Sequence, residues 1–362
     1  MSYIISIETG NPEYKTSQKD ILNFMQKIYP DFLHEKISKL YQRSGIDYRY
    51  SCIPDYSGEA KKLYPETKNL EPFPNINKRL EIYNQEAKKL AVATANKLLD
   101  NFDKSKITHL ITVSCTGMYA PGLDLELIED LNLNSETYRT SVNFMGCYAA
   151  FHALKQADYI CKIDKNAVVM ILCVELCTLH FLKDLDLNCV TSNAIFGDGC
   201  AGVLMSNNET FLKESSLKIN GFYSKVLFHG KNDMAWHITS DAFRMILSEA
   251  IPSLIKDNVK EVIEGIIKKF DLEKNFINTW AIHPGGKKIL DNFALEMGLE
   301  EDKLKNSYNV LKKYGNMSSP TVLFVLKDLI ETELPAKTKK NIFSASFGPG
   351  LTVESMILEN II

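Results

Sequence analysis

The chain reads as an α/β protein whose sheet is covered on both faces. Two apolar runs, His109–Cys115 and Ala167–Val174, have the length and β-branched content of buried parallel strands, and helical stretches separate them. A third sign is repetition, because segments of the first half recur in the same order in the second. Ile277–Gly286 answers Leu110–Gly117, Tyr314–Phe324 answers Phe144–Leu154, and Ser346–Glu354 answers Phe196–Leu204. Two structurally similar halves follow, with the polar stretch Ser206–Thr210 as the boundary, giving residues 1–208 and 209–362.

The elements can be taken in order. Met1–Ile7 alternates as a strand does and lacks the charged start and long apolar core of a signal peptide. Residues 15–100 look mostly helical, most clearly at Ile21–Met25 and Lys88–Ala95, with an irregular Pro- and Tyr-rich piece from Tyr50 to Pro74. Within the first helical part, Lys36, Lys39 and Arg43 recur at steps of three and four and share one face. Such a stripe is ordinarily a solvated surface; a substrate carrying phosphates would give it another use. Ala194–Met205 is a Gly-rich turn running into a strand.

Composition narrows the function. With 362 residues, 45% of them apolar, the chain has ample material for a large core. A net charge of −3 and the lack of a basic block argue against a nucleic-acid partner. No run reaches the length of a membrane span, so a cytoplasmic protein is expected. Eight cysteines, at 52, 115, 147, 161, 173, 177, 189 and 200, are irregularly spaced and read as reduced thiols. Cys173 and Cys177 have no matching pair nearby, so no metal site is expected.

The chemistry centres on Ser141–Leu154, an extended segment, a Gly turn carrying Cys147, and a helix of small residues. A thiol at the first turn of a helix faces unpaired N–H groups, which lower its pKa and favour the nucleophilic thiolate. Alone, Cys147 would read as a buried core residue. What changes the reading is the second half, where His283 opens a His-Pro-Gly-Gly loop and Asn316 precedes Met-Ser-Ser. Cys, His and Asn together suit acyl transfer: the His holds the thiolate, and His and Asn donate to a thioester oxygen when an enolate forms there.

With Gly146-Cys147, Phe196-Gly197-Asp198-Gly199, His283-Pro284-Gly285-Gly286, Tyr314–Ser319 and Phe347–Thr352 in view, the sequence closely resembles the bacterial type III polyketide synthases. These form the chalcone-synthase-like branch of the thiolase superfamily. The resemblance spans nearly the whole chain. It implies a duplicated, five-layered αβαβα fold and a homodimer. It also implies acyl-CoA and malonyl-CoA as substrates, with no cofactor besides these thioesters. Cys147 would carry the starter, while His283 and Asn316 would polarise malonyl-CoA during decarboxylation. Phe196 matches a gatekeeper at the mouth of the CoA tunnel, and Lys36, Lys39 and Arg43 match the cations that grip CoA phosphates.

Cavity positions implied by the resemblance are Cys115, Thr116, Ala120, Cys177, His180 and Trp236. Ala120 stands where plant enzymes carry a Met that crosses the dimer interface, and is expected to open the neighbouring cavity; His180 and Trp236 are expected to offset that gain. The same Cys-His-Asn chemistry also serves 3-ketoacyl-carrier-protein synthase III, which condenses once, and a thiolase-like fold can persist as an inactive scaffold. The sequence leaves open the starter, the number of extensions and the cyclisation, with a lean to an acyl starter because of Ala120.

Overall fold

A computed structural model describes residues 1–361 apart from 59, 68, 274 and 337. The first half comprises β1 (Ser2–Gly10), β2 (Tyr14–Ser17), α1 (Gln18–Gln26), α2 (Asp31–Gln42), β3 (Tyr48–Ser51), α3 (Ile76–Leu98), β4 (His109–Ser114), α4 (Leu123–Asp130), β5 (Tyr138–Asn143), α5 (Ala149–Ile163), β6 (Val168–Leu176), α6 (Leu187–Ile195) and β7 (Asp198–Ser206). The second comprises β8 (Leu217–Val226), β9 (Met234–Ile238), β10 (Phe243–Leu247), α7 (Ile251–Lys269), β11 (Thr279–Ile282), α8 (Lys287–Met297), α9 (Lys305–Tyr314), α10 (Thr321–Glu333), β12 (Asn341–Gly348) and β13 (Thr352–Asn360).

The strand order repeats. From β1 outward the first half runs β1-β7-β6-β4-β5, and from β8 outward the second runs β8-β13-β12-β11. In each, the strand next to the first is the last in sequence and antiparallel to both neighbours. The inner pairs β4·β6 and β11·β12 are parallel. Among the described residues the second half has no counterpart of β5, and its place in the sequence is taken by α9 and the turn to Asn316. A short ladder of Ser2–Ile4 with Leu217–Ile219 joins the two halves into one nine-stranded sheet.

Layering follows from which face of each strand is apolar. All nine residues of β6 are buried, as its continuous apolar run requires. Val169, Ile171 and Cys173 point into an inner core with α5 and α10, and Val168, Met170, Leu172 and Val174 point into an outer one with α3. On the second half, Ile342, Met356 and Leu358 face the same inner helices, while Phe343, Ala345 and Ile357 face α7 and α8. Helix, sheet, paired inner helices, sheet and helix make the expected five layers. Alanines at 149, 150, 153 and 157 keep α5 thin enough for this inner position.

The helical reading of residues 15–100 holds for α1, α2 and α3, but β2 and β3 form a small antiparallel ribbon between them. That ribbon carries Arg49, which becomes important below. No described helix is long and apolar enough to cross a membrane, and all eight cysteines are buried and free.

Candidate active site

Parallel strands deliver the reactive groups at their C-terminal ends, where α/β sheets present ligand sites. β5 ends at Asn143, and Phe144 and Gly146 both take positive φ (59° and 77°) to bring Cys147 into a tight turn before α5. Glycine is required at 146, since a Cβ there would lie 2.3 Å from Cδ of Pro349. β11 ends at Ile282, and His283 follows with its N–H donating to the Ala345 carbonyl at 2.9 Å. Asn316 comes from the turn that follows α9. Gly315, at φ 71°, lets the chain pass so close to Ile195 that a Cβ would sit 2.7 Å from its carbonyl oxygen.

Close passage there allows two backbone bonds between the halves: Asn316 N–H to Ile195 O and Gly197 N–H to Asn316 O, each 2.9 Å. The Asn316 amide is oriented in turn. Its oxygen accepts from Ser318 N–H at 2.8 Å, which leaves Nδ2 facing the Cys147 sulfur at 4.0 Å and the Gly285 carbonyl at 3.4 Å. A Cβ on Gly285 would lie 3.8 Å from His283 Nε2. Cys147, His283 and Asn316 thus gather around Gly285, each no more than 3% exposed.

Burial sets their electrostatics. It pushes the Cys147 thiol up to about 11, with hydrogen bonds from Ser318 and Asn316 pulling the other way. It also pushes His283 down to about 3, and both ring nitrogens lack partners. The low thiol pKa expected from a helix start is therefore corrected. Cys147 sits in a 3-10 turn, Gly146–Tyr148, before α5 begins at Ala149, and loss of water outweighs the helix end. Each group taken singly is neutral. A lone charge on either is unfavourable in this buried setting.

Two chambers adjoin this cluster. A small one touches Cys115, Gly146, Ser318 and Pro349. A second extends toward α1 and α6, and Cys177, Phe196, Trp236 and Met245 line both. Phe196 and Trp236 thus form the partition between them; the Trp236 indole is pinned by donation to the Cys115 carbonyl at 2.7 Å. His180 lines the second chamber, stacked on Phe243 at 4.3 Å. Its nitrogens are occupied by Thr116 O (2.6 Å) and Phe243 N–H (3.1 Å), and burial keeps it neutral, down to about 3. The side chain fills space and donates nothing further.

One cavity expectation fails. Thr116 is fully buried and lines neither chamber; its hydroxyl is spent on Glu175 at 2.8 Å and on the Leu176 N–H at 2.9 Å. Ala120 is exposed and borders a separate open hollow beside β5, on a face that a single chain leaves uncovered. Lys36, Lys39 and Arg43 do lie exposed along α2 and its C-terminal residue, with Lys39 ion-paired to Glu35. Gly45, just beyond, packs on Lys287 at the start of α8, which sets this stripe beside the His283 loop.

Sequence reasoning passed over Glu175. Its carboxylate ends β6 fully buried and accepts from Ser319 Oγ (2.6 Å), Thr116 Oγ1 (2.8 Å), Cys115 N–H (3.0 Å) and Cys115 Sγ (3.2 Å). Burial raises its pKa against those bonds. A lone carboxylate inside the otherwise apolar run Val168–Leu176 was the available signal.

Comparison with known proteins agrees with this geometry. The sequence model "Chalcone and stilbene synthases, N-terminal domain" matches residues 1–208, and the corresponding C-terminal domain matches 219–362. The chain is 28% identical over its whole length to the "Alpha-pyrone synthesis polyketide synthase-like Pks18" of Mycobacterium tuberculosis, covering 92% of it. It is 26% identical to the "Putative chalcone synthase" of Bacillus subtilis, covering 99% of this chain and 98% of that one. Among solved structures, PKS-I from the brown alga Ectocarpus siliculosus superposes with a TM-score of 0.93 at 28% identity, covering 99% of this chain and 98% of the other. With both halves matched, the chain belongs to the chalcone and stilbene synthase family and is a type III polyketide synthase, an acyltransferase of thiolase-like fold.

Proposed function

We propose that Cys147 accepts an acyl group from a CoA thioester and that the chain is extended with malonyl-CoA more than once before cyclising to a pyrone, resorcinol or related aromatic. The observation that carries this reading is the meeting of Cys147, His283 and Asn316 around Gly285 in a site closed to water. In loading, the Sγ proton passes to His283, Sγ attacks the thioester carbonyl, and the CoA sulfur leaves and takes the proton. Malonyl-CoA then loses carbon dioxide; the electrons of the broken C–C bond move to the thioester oxygen, held by donation from His283 and from Asn316 Nδ2. The enolate carbon attacks the Cys147 thioester, and Sγ leaves as the new C–C bond forms. No cofactor is needed for these steps.

Other parts take supporting roles in this proposal. Phe196 presents an apolar ring to the incoming malonyl carboxylate, which loses hydration there. Lys36, Lys39 and Arg43 bind the CoA phosphates at the solvent-facing end. A homodimer is favoured by β5, an edge strand with five of six residues exposed and a hollow beside it that a second copy would cover. A cytoplasmic setting suits eight free thiols.

Four outcomes are expected. Mass spectrometry of products from an acyl-CoA and malonyl-CoA should show multiply extended, cyclised compounds from the wild type and roughly a thousandfold less from Cys147→Ala; equal yields would refute the nucleophile. His283→Ala leaves a lone buried thiol, so iodoacetamide labelling of Cys147 at pH 7 should slow at least tenfold and rise with pH toward about 11, an acid losing its proton only above its pKa. Wild-type-like labelling would dispose of the Cys147–His283 pair. Replacing Lys36, Lys39 and Arg43 by Ala should raise the KM for malonyl-CoA about tenfold at low salt, and less at high salt; a salt-independent KM would contradict phosphate binding. Light scattering should give twice the 41.0 kDa chain mass, and a monomer would exclude the β5 pairing.

A further inference from the structure

The stacked His180 and Phe243 sit on or beside irregular backbone, and one side chain that lines neither chamber holds both stretches; this inference rests on the synthase reading above. Residues 181–186 form no helix or strand, and residues 239–242 are the turn between β9 and β10. Arg79 of α3 reaches both. It is fully buried, and its Nη1 donates to the carbonyls of Leu179 and of Phe181, the second at 3.0 Å, which are the residues on either side of His180. Its Nε donates to the carbonyl of Asp241 at 2.7 Å and to that of Pro74 at 3.2 Å. Nη1 also meets the Tyr64 hydroxyl at 3.1 Å, and the guanidinium lies 5.1 Å from the centre of the Phe73 ring. Nη2, also covered, has no partner among the described residues.

Each oxygen that Arg79 meets is neutral, so this cation is kept in the core by main-chain carbonyls, a hydroxyl and ring faces. Hydrogen bonds from a charged donor are about twice as strong as neutral ones, and a planar fork serves carbonyls that arrive from different directions. An ammonium, one point of charge on a flexible stem, does not reproduce that spread.

What the two stretches carry is a wall of rings. His180 donates from Nε2 to Thr116 O at 2.6 Å, and its Nδ1 accepts the Phe243 N–H at 3.1 Å, which fixes the ring in one orientation. Phe243, two residues past Asp241, lies parallel to it with ring centres 4.3 Å apart. Trp236 meets both edge-on, at 5.9 and 6.1 Å, and lines the small chamber as well as the second one. A continuous run of packed groups thus leads from Arg79 to the ring that stands between the chambers.

We propose that Arg79 is a positioning residue for the reaction: by fixing Leu179, Phe181 and Asp241 it sets the places of His180, Phe243 and Trp236, and with them which acyl groups the site accepts. It touches neither substrate nor reacting atoms, and acts through the backbone that carries the wall.

The test replaces Arg79 by Lys and by Met, and two rates separate positioning from stability alone. One is the ratio of kcat/KM for benzoyl-CoA to that for hexanoyl-CoA, each with malonyl-CoA. The other is decarboxylation of malonyl-CoA without a starter, which in the proposed mechanism needs only His283 and Asn316. Folded Arg79→Lys should raise the ratio at least about tenfold, because a loosened wall admits the wider ring, and keep decarboxylation within about twofold. Trp236 emission, read in a Trp280→Phe background where it is the sole tryptophan, should shift. A folded Arg79→Lys enzyme with the wild-type ratio overturns the proposal. So does an equal loss of extension and decarboxylation with Trp236 emission unchanged, which assigns Arg79 to stability only. If neither Arg79 variant folds, Phe73→Ala decides: without the ring beside the guanidinium the ratio should rise about threefold, and an unchanged ratio overturns the proposal. A wild-type enzyme that extends no starter at all overturns the synthase reading instead, and this inference with it.

Discussion

Everything at the active site depends on two backbone hydrogen bonds between the halves, Asn316 N–H to Ile195 O and Gly197 N–H to Asn316 O. They tie the turn that carries Asn316 to the one that carries Phe196. A third link, from the Ser346 hydroxyl to the Cys147 carbonyl at 2.9 Å, ties the nucleophile's turn to β12. Because these contacts involve main-chain atoms, the side chains are positioned by the rigid ends of strands and not by their own flexible stems. Arg49 reinforces the seam, since it packs on Gly197 and Gly315 and its guanidinium holds the Phe196 carbonyl.

Exclusion of water is the second constraint, and it explains why reactive groups survive in the core. A buried thiol and a buried imidazole are each held uncharged, so neither reacts indiscriminately in the resting protein. In the proposed reaction the same dryness strengthens donation from His283 and Asn316, because no solvent competes for it. Glu175 shows the alternative. Donors from Ser114, Cys115, Thr116 and Ser319 surround the carboxyl, so it organises them as one cluster behind the chamber.

Cavity shape is then a matter of a few large side chains. Trp236 and Phe196 divide space that would otherwise be one room, and His180 stacked on Phe243 fixes the wall beyond them. Trp236 and His180 are held by hydrogen bonds and Phe243 by stacking, so these walls are part of the folded scaffold.

Much of this was written in the sequence. The buried runs, the repeated segments and the Gly-Cys, His-Pro-Gly-Gly and Gly-Asn-Met-Ser-Ser pieces specified the sheet and the three residues gathered around Gly285, because hydrophobic period and glycine placement are local properties of the chain. Other matters were decided only by tertiary structure. Thr116 is turned out of the cavity by the path of the backbone after β4, and the Cys147 thiol is governed by a burial to which distant elements contribute. Met25 and Ile21, more than 120 positions from Cys147 in the chain, line the inner chamber because α1 packs beside α6 and the β2–β3 ribbon. Spacing along a chain sets which face a side chain takes, but not which remote surface that face will meet.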